Sequence, residues 1–341
     1  MKADTDAEAI ALVREHGSIR KAAAATGIPY TTLRARHERG VRTEGVSETV
    51  KNEIEYPELP ESELPVEQII DYATKNFVTK LAARDARRWM EIKVKSNQPI
   101  GICFMGDPHV DSTGCNWPLL REHIRILKET PGMYAIGGND VTDNWIGRLM
   151  RLYADSKMSK KQAWKVVKWL FQDSGIRWLA LVMGNHDVWG DGEYLFKAAA
   201  PAKVPVEDWQ ARFQLVFPNS KRVRVNMAHD FKGHSQWNHL HGAQKAALLD
   251  EEADIYACAH RHCWAMHEEE NAQRGFVYHL IRSRGYKYID SYADHGMFGH
   301  QKFGASITAV IDPSGAGPKK IRCFPDVGEA AEFLTWKRSK N

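Results

Sequence analysis

The chain reads IRWLALVMGNHD from residue 176 to residue 187. Residues 176–183 form a mostly apolar run, which is typical of a strand buried on both faces. The GNHD segment then adds an amide, an imidazole and a carboxylate directly where the run ends. In layered α/β proteins, ligands bind outside the carboxyl ends of the strands. The stretch therefore predicts a buried strand that delivers polar side chains to a binding site.

Four more apolar runs end in the same way, each in a short polar cluster. These clusters are GDPHVD (106–111), GNDVTD (138–143), AHDF (228–231) and AHRH (259–262). Helical stretches such as WPLLREHIRILKE (117–129) and SKKQAWKVVKWLFQ (159–172) separate several of the runs. Buried strands that alternate with helices predict a layered α/β domain, with its site at the strand ends.

Length and composition narrow the class of protein. At 341 residues the chain is long enough for one large domain with an appendage. Its five cysteines are an odd number without a C-x-x-C pair, so we expect no disulfide framework and a reducing cytoplasm. We expect neither a signal segment nor a membrane span, because no apolar run approaches the roughly 20 residues that a span needs. The net charge of +4 is too small to indicate a partner, and oligomeric state stays open.

Residues 1–42 are predicted to form a small all-α domain. Three helical stretches, within 7–16, 18–26 and 29–39, are separated by Gly17 and Gly27. The unit resembles a helix-turn-helix whose last helix enters the major groove of DNA. A helical adaptor or an oligomerisation module is the alternative. The candidate DNA-binding residues on the last helix are Tyr30, Thr31, Thr32, Arg34, Arg36 and Arg39.

Residues 43–65 are predicted to form an extended linker, because they are rich in glutamate and interrupted by prolines. A catalytic domain is then expected over residues 66–341. Its first element is predicted to be a helix from about Val66 to Met90. The apolar residues at core spacing on this helix are Ile69, Ile70, Ala73, Phe77 and Leu81.

The donor types in the polar clusters indicate metal binding. Carboxylates, an asparagine and imidazoles form an oxygen and nitrogen set suited to Mn²⁺, Fe or Zn²⁺. In IYACAHRHCW (255–264) two cysteines bracket two histidines, as at the start of a structural zinc site. Cys258 lies within the apolar run and is expected to pack in the core, and Cys263 follows the histidines as a neighbour. The two cysteines are therefore left out of the predicted ligand set.

In their order, the five clusters resemble the calcineurin-like metallophosphoesterase family, over about residues 100–310. The family pattern is Asp-x-His, Gly-Asp-x-x-Asp, Gly-Asn-His-Asp/Glu, His, and Gly-His-x-His. The resemblance implies two central mixed β-sheets flanked by helices, and two divalent ions, with Mn²⁺ expected and Fe or Zn²⁺ as alternatives. It implies that Asp140 bridges the ions. The implied ligands are Asp107, His109 and His262 for one ion, and Asn185, His229 and His260 for the other.

Further roles are assigned around these ligands. His186 is the candidate to protonate the leaving oxygen or to stabilise its charge. Asp143 and Asp187 are expected either to orient imidazoles or to cap their own turns, and His234 is expected to reach the site from its loop. The sequence departs from the family pattern at two positions where the family has glycine, Asn139 and Ala259.

The substrate is open to three hypotheses. The first is a nuclease-like phosphodiesterase that the N-terminal unit holds on DNA, in a type of chain found in bacteriophages and prophages. The second is a phosphomonoesterase or cyclic-nucleotide phosphodiesterase, and the third is a DNA-binding regulator with a non-catalytic phosphoesterase domain. Arg284 and Lys287 are candidates to contact substrate phosphate. Four tryptophans could stack on nucleobases or pack the rim of the sheet: Trp145, Trp189, Trp237 and Trp264.

Overall fold

The computed structural model describes residues 5–51, 63–250, 252–273, 275–289 and 302–340. The chain divides into two compact units, Met1–Asn76 and Phe77–Asn341. The division lies within a helix, so the boundaries that we predict at residues 42 and 65 stay a prediction. The two units are described separately below.

Three helices lie within residues 5–51 of the N-terminal unit, and local signals in the sequence set their ends. Thr5 and Glu8 form a capping box at the start of the first helix, and Ser18 caps the second. Gly17 and Gly27 follow these helices with φ of 71° and 69°, a left-handed conformation that glycine adopts without steric cost. The helices are α1 (Asp6–His16), α2 (Ile19–Thr26) and α3 (Tyr30–Lys51).

A small apolar core holds these helices together. Ala9 and Leu12 of α1 pack with Ala22 of α2 and Leu33 of α3. The third helix continues to Lys51, so the first residues of the predicted linker are helical. The physical reason is that this part contains helix-forming glutamates and precedes the first proline of the segment, at residue 57. The predicted linker residues 52–62 lie outside the described part of the chain.

Helix α4 (Val66–Arg87) forms where the sequence predicts a helix, but its apolar face is not buried. Ile70 is 57% exposed and Phe77 is 65% exposed, and the other apolar residues of the predicted face are exposed as well. The prediction of a core-facing helix is therefore wrong. Helical spacing indicates that a helix has an apolar stripe, but it does not indicate which part of the protein, if any, packs on that stripe.

The second unit is built on two mixed six-stranded sheets. Sheet I has the strand order β12-β11-β2-β3-β4-β5, and sheet II has the order β1-β6-β7-β8-β10-β9. The strands are β1 (Met90–Lys93), β2 (Ile100–Met105), β3 (Met133–Gly137), β4 (Trp178–Met183), β5 (Val206–Asp208), β6 (Gln210–Val216), β7 (Arg222–Ala228), β8 (Ile255–Cys258), β9 (Ala265–Asn271), β10 (Phe276–Arg282), β11 (Ser306–Ile311) and β12 (Ile321–Phe324).

Helices cover the outer faces of the two sheets. Phe171 and Trp178 belong to the core between sheet I and its helices, and Tyr256 and Tyr278 belong to the core beside α8. The predicted α/β layered fold, with two mixed sheets flanked by helices, is confirmed. The helices of this unit after α4 are α5 (Trp117–Glu129), α6 (Lys160–Lys168), α7 (Gly192–Ala199), α8 (His241–Leu249) and α9 (Val327–Ser339).

The two sheets share an apolar core between their inner faces. Ile102, Phe104 and Val182 of sheet I pack in one cluster with Phe213 and Val225 of sheet II. Strands β2, β3, β4 and β5 are parallel to one another, and β7 is parallel to β8. Because parallel strands end at the same edge of a sheet, the polar clusters after them are brought together there.

None of the helices in the described ranges combines the length and the apolar character that a membrane crossing requires.

Candidate metal centre

The five predicted clusters follow strands β2, β3, β4, β7 and β8, and the structure brings them to one place. The donor atoms of Asp140, His229 and His260 all lie within 4.8 Å of one another. His229 Nε2 is 3.2 Å from Asp140 Oδ2 and 2.9 Å from Asn185 Oδ1. These four side chains comprise the predicted bridging carboxylate and all three predicted ligands of one ion.

The predicted ligands of the other ion lie beside this group. His262 Nε2 is 3.8 Å from Asp107 Oδ2, and the His109 and His262 rings are 5.2 Å apart between centroids. Asp107 Oδ1 is 3.8 Å from His229 Nδ1, which joins the two groups of ligands into one cluster whose centre is buried. The structure therefore gathers all seven predicted ligands from five separate segments.

The backbone of the cluster is strained. Five of the seven predicted ligands adopt positive φ, which costs a residue other than glycine of order 1 kcal/mol or more. Such conformations persist where the surrounding structure fixes them, and they concentrate at functional sites. The residues and angles are Asp107 (31°), His109 (41°), Asp140 (44°), His260 (67°) and His262 (47°).

Burial and mutual charge shift the titration of this cluster. Burial raises the pKa of Asp107 to about 7, although the imidazole of His229 partly offsets the effect. Burial alone would raise the pKa of Asp140 too, but its contacts with His229 hold that pKa below the usual range. His229 responds in the opposite sense: burial lowers its pKa, and the Asp140 carboxylate more than compensates and raises it to about 9.

The donor set fits divalent cations. Asp107 Oδ1 is buried and has no hydrogen-bond partner among the described residues, which leaves a desolvated carboxylate oxygen without compensation. Burial lowers the pKa of His260 to about 4 and that of His262 well below its ordinary value, so both rings are neutral at pH 7 and can ligate. Carboxylate and imidazole donors of this kind are suited to holding divalent metal ions.

Cys258, next to the last cluster, packs in the core and does not belong to the donor set. Cys258 is fully buried in β8, and its thiol lies 3.7 Å from the carbonyl oxygen of Ile281. Burial raises the pKa of Cys258 to about 12, so the thiol stays protonated at neutral pH. The packing of Cys258 in the core agrees with our interpretation of the sequence, and the candidate site has oxygen and nitrogen donors.

His186 projects toward the bridging carboxylate. Its backbone N–H donates to Asp140 Oδ1 at 2.8 Å, and its Nε2 lies 4.0 Å from Asp140 Oδ2. Its Nδ1 donates to the carbonyl oxygen of Asp143, which fixes the ring and directs Nε2 toward the cluster. Trp145 and Trp189 pack against the imidazole with centroid distances of 4.8 and 4.2 Å. Two of the four tryptophans therefore support His186.

Asp143 and Asp187 differ in what they orient. Asp143 Oδ1 is 2.7 Å from His109 Nδ1, so this carboxylate holds an imidazole. Asp187 instead accepts the backbone N–H groups of Asp140, Val141 and Gly184 at 2.7–2.9 Å. Of the two roles left open for these residues, Asp143 takes the first and Asp187 takes the second, as a cap of the turns after β3 and β4.

The remaining predicted contacts are less direct. Lys287 is buried, and its ammonium group donates to Asp143 Oδ1 at 3.1 Å, so it supports the carboxylate that holds His109. Arg284 is also buried and stacks on the ring of Tyr288. His234 is exposed on the loop after β7. The roles proposed for Arg284 and Lys287 in binding phosphate and for His234 at the site stay predictions.

Several residues of the site were missed by sequence reasoning. Asp111 Oδ1 accepts the backbone N–H of Asp143 at 2.7 Å. Asn144 donates to the carbonyl oxygens of His186 and Trp189, both at 2.8 Å. Asp111 is a polar residue inside the cluster 106–111 and Asn144 directly follows the cluster 138–143, and this was the signal that could have identified them. Trp209, whose indole packs against the ring of His229, was also missed. It carries no such signal, because it directly precedes β6 and belongs to none of the predicted clusters.

The two departures from the family pattern are accommodated locally. Asn139 Nδ2 is 3.3 Å from His229 Nδ1, so the asparagine side chain contacts a predicted ligand. The methyl group of Ala259 lies 2.6 Å from the position that a β-carbon would occupy on Gly106. The absence of a side chain at residue 106 therefore makes room for the alanine.

The predicted DNA-binding residues lie on α3. Thr31, Thr32 and Arg34 are exposed, and Tyr30 is 39% exposed. Arg39 takes another role, since it donates to Asp6 at 3.1–3.3 Å and ties α3 to α1. Arg36 is half-buried and so less accessible than Thr31, Thr32 and Arg34. The N-terminal turns of α3 therefore present most of the predicted contact surface.

A family model described as helix-turn-helix, Psq domain matches residues 4–44. The match confirms the predicted helix-turn-helix unit. A search of curated proteins gives no match.

Among solved structures, the chain is similar to the calcineurin-like phosphoesterase YfkN from Bacillus subtilis, with a TM-score of 0.38 and 11% identity over 72% of this chain and 97% of YfkN. The NAD nucleotidase NadN of Haemophilus influenzae gives a TM-score of 0.37 and 8% identity, over 71% of this chain and 56% of NadN. A single mutant of Vps29 from Entamoeba histolytica gives 0.36 and 10%, over 66% of this chain and 97% of Vps29. At TM-scores this low, the chain's own residues must carry any assignment of activity.

Proposed function

We propose that the second unit is a two-metal phosphodiesterase of the calcineurin-like type that acts on nucleic acid. One observation carries the proposal: seven oxygen and nitrogen donors, delivered by five strand ends, converge around the buried carboxylate of Asp140. Mn²⁺ is the proposed cofactor, because carboxylate, amide and imidazole donors without thiolate suit it. Bound cations would supply the charge that polarises the phosphoryl group and activates water for in-line attack.

The protein's own side chains orient the predicted ligands and transfer a proton. Asp140 and Asp107 provide the carboxylate groups of the site, and Asp143 keeps His109 in a fixed orientation. In the neutral ring of His186, Nδ1 carries the proton donated to the carbonyl of Asp143, so Nε2 is the atom that can gain and release a proton. Because Nε2 faces the cluster, we assign it the transfer of a proton to the leaving oxygen.

The enzyme proposal is tested with purified protein and Mn²⁺ on bis-p-nitrophenyl phosphate. We expect metal-dependent hydrolysis that Asp140→Asn abolishes and that His186→Ala lowers by roughly 100-fold or more, the usual contribution of a positioned acid. Asp173→Asn, an exposed aspartate, is the matched control. If metal-loaded protein hydrolyses neither this diester nor p-nitrophenyl phosphate, the chain is not a phosphoesterase, and the regulator hypothesis replaces this one.

The substrate class is tested with a panel of linear, nicked and single-stranded DNA, RNA, cyclic nucleotides and p-nitrophenyl phosphate. We expect the highest kcat/KM on a nucleic-acid diester. A preference for the monoester or for a cyclic nucleotide would replace the nuclease proposal with the second hypothesis. Cleavage of the panel by wild-type protein and not by His186→Ala excludes a contaminating nuclease.

We also propose that the N-terminal unit binds DNA and so holds the catalytic unit near its substrate. Two features support this: the match to the Psq helix-turn-helix over residues 4–44, and the exposed polar residues at the start of α3. An exposed helix start carrying threonines and arginines can contact phosphates and base edges in the major groove. The five cysteines are free, as expected if this activity belongs to the cytoplasm.

A further inference from the structure

A groove of about 360 Å³ lies beside the candidate metal centre. Its wall contains Ala228 and Asp230, the two neighbours of the predicted ligand His229. Nothing in the proposed hydrolysis uses this groove. Trp209 lines it together with the charged residues Arg212, Asp230, Lys232, Lys245 and Asp250.

Trp209 is the aromatic residue that connects this groove to the centre. It is the single residue between β5 of sheet I and β6 of sheet II, and its carbonyl accepts the backbone N–H of His229 at 2.7 Å. Its indole packs 5.0 Å from the ring of His229 and donates to the carbonyl of Asp230 at 3.0 Å. The residue is nevertheless 42% exposed, so part of the indole is accessible from the groove.

The backbone of Trp209 gives a reason to look for a role of the indole. The chain passes from one sheet to the other within this residue, at a φ of 61°. Glycine would make that crossing without steric cost, whereas a bulky residue is strained by of order 1 kcal/mol. A tryptophan placed here retains a large accessible aromatic surface next to the centre in spite of that strain.

The charges around the groove favour an anionic ligand. Asp230 is ion-paired with Arg282 and Arg261 at 2.8 Å, and Asp250 is ion-paired with Arg212 at 2.5 Å. The acidic side chains of the groove are thus already neutralised. Two lysines, Lys232 and Lys245, line the groove, and both are exposed. Among the described residues no carboxylate forms an ion pair with either lysine, so positive charge remains.

We propose that this groove binds one nucleotide of the substrate strand, with the base stacked on Trp209 and the phosphate near Lys232 and Lys245. A volume of about 360 Å³ accommodates a ligand of that size. An aromatic platform with neighbouring cations is the arrangement that single-stranded nucleic acid recognises, whatever the base. The inference rests on the proposed function, because the bound nucleotide would lie next to the phosphodiester that is cleaved.

The test compares two probes that differ only in the base, AMP and ribose 5-phosphate, by isothermal titration calorimetry on the full chain. We expect AMP to bind the wild-type protein about tenfold more tightly, the lower part of the range for stacking one base on an aromatic side chain. Trp209→Gly removes the indole and introduces a residue that tolerates the positive φ of this position. The variant should therefore abolish the difference in affinity between the two probes. Trp209→Phe should retain most of it.

Two controls make the result specific to the groove. Trp336→Ala removes a tryptophan that is 53% exposed and does not line the groove, and it should leave the AMP preference unchanged. Replacing Lys232 and Lys245 by glutamine should weaken both probes equally and reduce the salt dependence of binding.

The proposal is overturned if the wild-type protein binds both probes with equal affinity, or if Trp209→Gly weakens both to the same extent, which would indicate a purely structural role. Its failure can be distinguished from failure of the enzyme proposal. If the wild-type chain hydrolyses bis-p-nitrophenyl phosphate but shows no preference for AMP, the groove proposal alone is rejected. A Trp209-dependent AMP preference in a chain with no phosphoesterase activity rejects the enzyme alone.

Discussion

At the scale of single residues, Gly184 shows how closely the centre is packed. A β-carbon on this residue would lie 2.1 Å from Asp140 Oδ1 and 2.7 Å from His229 Cε1. Real β-carbons do not approach other atoms so closely, so either the carboxylate or the turn after β4 must move. The glycine of the GNHD cluster is thus required by the space that two predicted ligands occupy.

We therefore expect Gly184→Ala to disrupt metal binding while the chain stays folded. Overpacking of a filled interior costs about 1–3 kcal/mol of unfolding free energy, which a unit of this size can tolerate. Displacement of the bridging carboxylate should lower Mn²⁺ affinity by more than the roughly 10- to 100-fold lost when a supporting partner of a ligand is removed. Calorimetric titration with Mn²⁺, beside a circular dichroism spectrum, measures both effects, and wild-type affinity in the variant would contradict the packing argument.

His123 links stability to pH at a position away from the centre. Its ring is buried in α5 beside the Tyr286 hydroxyl at 2.8 Å, and burial lowers the pKa of His123 to about 4. Between this value and the ordinary value of about 6.5, the unfolded chain binds the proton and the folded chain does not. The free energy of unfolding therefore rises with pH across this window, and falls by about 3 kcal/mol as the pH drops from 7 to 4.

The contribution of His123 is isolated by comparison with His123→Gln, which cannot titrate. Urea unfolding at several pH values between 4 and 7.5 should give a shallower pH dependence for the variant than for the wild-type chain. All other groups titrate equally in both proteins, so the difference between the two curves belongs to this ring. Parallel curves would show that the ring is accessible to protons in the folded state.

At the scale of elements, Arg282 at the end of β10 ties together the loops that carry the predicted ligands His229, His260 and His262. It is fully buried, and it donates to Asp230 Oδ1 at 2.8 Å, to the carbonyl of Ala259 at 2.5 Å and to the carbonyl of His239 at 2.7 Å. A planar guanidinium can make these three bonds at once, whereas the ammonium of a lysine cannot reproduce the fork. The arginine therefore fixes the loops after β7 and β8 relative to each other.

Arg282→Met should cost about 3–5 kcal/mol of unfolding free energy, because Asp230 loses its buried partner. Arg261→Met is the matched control, since Arg261 binds the same carboxylate at 2.8 Å but is partly exposed. The control should cost about 1 kcal/mol or less. Denaturant unfolding of the two variants measures the difference, and equal costs would mean that burial of Arg282 adds nothing.

Comparison of predicted and observed elements shows which signals depend on local sequence alone. An apolar run followed at once by polar residues identified the ends of β2, β3, β4, β7 and β8, because a buried strand and its terminal loop are both local features. The face of α4 was assigned wrongly because the partner of an apolar stripe is a tertiary property. Trp209 was missed for the same reason, since only the packing of sheet I beside sheet II places its indole on His229.

The same distinction between local sequence signals and tertiary contacts applies to the candidate site. The candidate ligands could be proposed from their residue types and their order in the chain, whereas the side chains that contact these candidates could not. The hydrogen bond of Lys287 to Asp143 joins residues 144 positions apart. Asp187 could have held an imidazole or a turn, and only the three backbone N–H groups at its carboxylate decide between them.

At the scale of the whole molecule, the chain has two compact units, so the activities proposed for the helix-turn-helix and for the second unit should be separable by mutation. Arg34 is exposed on α3, and its nearest charge is Glu38 at 2.7 Å. The free-energy contribution of such an exposed pair is small, so Arg34→Glu should leave the unit folded. If the guanidinium contacts a phosphate, the variant should bind duplex DNA more weakly, with a salt dependence reduced by roughly one unit in slope.

The hydrolysis of bis-p-nitrophenyl phosphate should be unchanged by Arg34→Glu, because that substrate needs only the centre around Asp140. Fluorescence anisotropy with labelled duplex at several salt concentrations measures the first effect, and Arg14→Glu on α1 provides a control with the same change of charge. Equal weakening by both variants would indicate a general effect of charge. Unaltered binding by both would remove α3 from the DNA interface and leave the N-terminal unit as an assembly module. Because the two readouts depend on different units, a variant that lost both together would show that the units act as one.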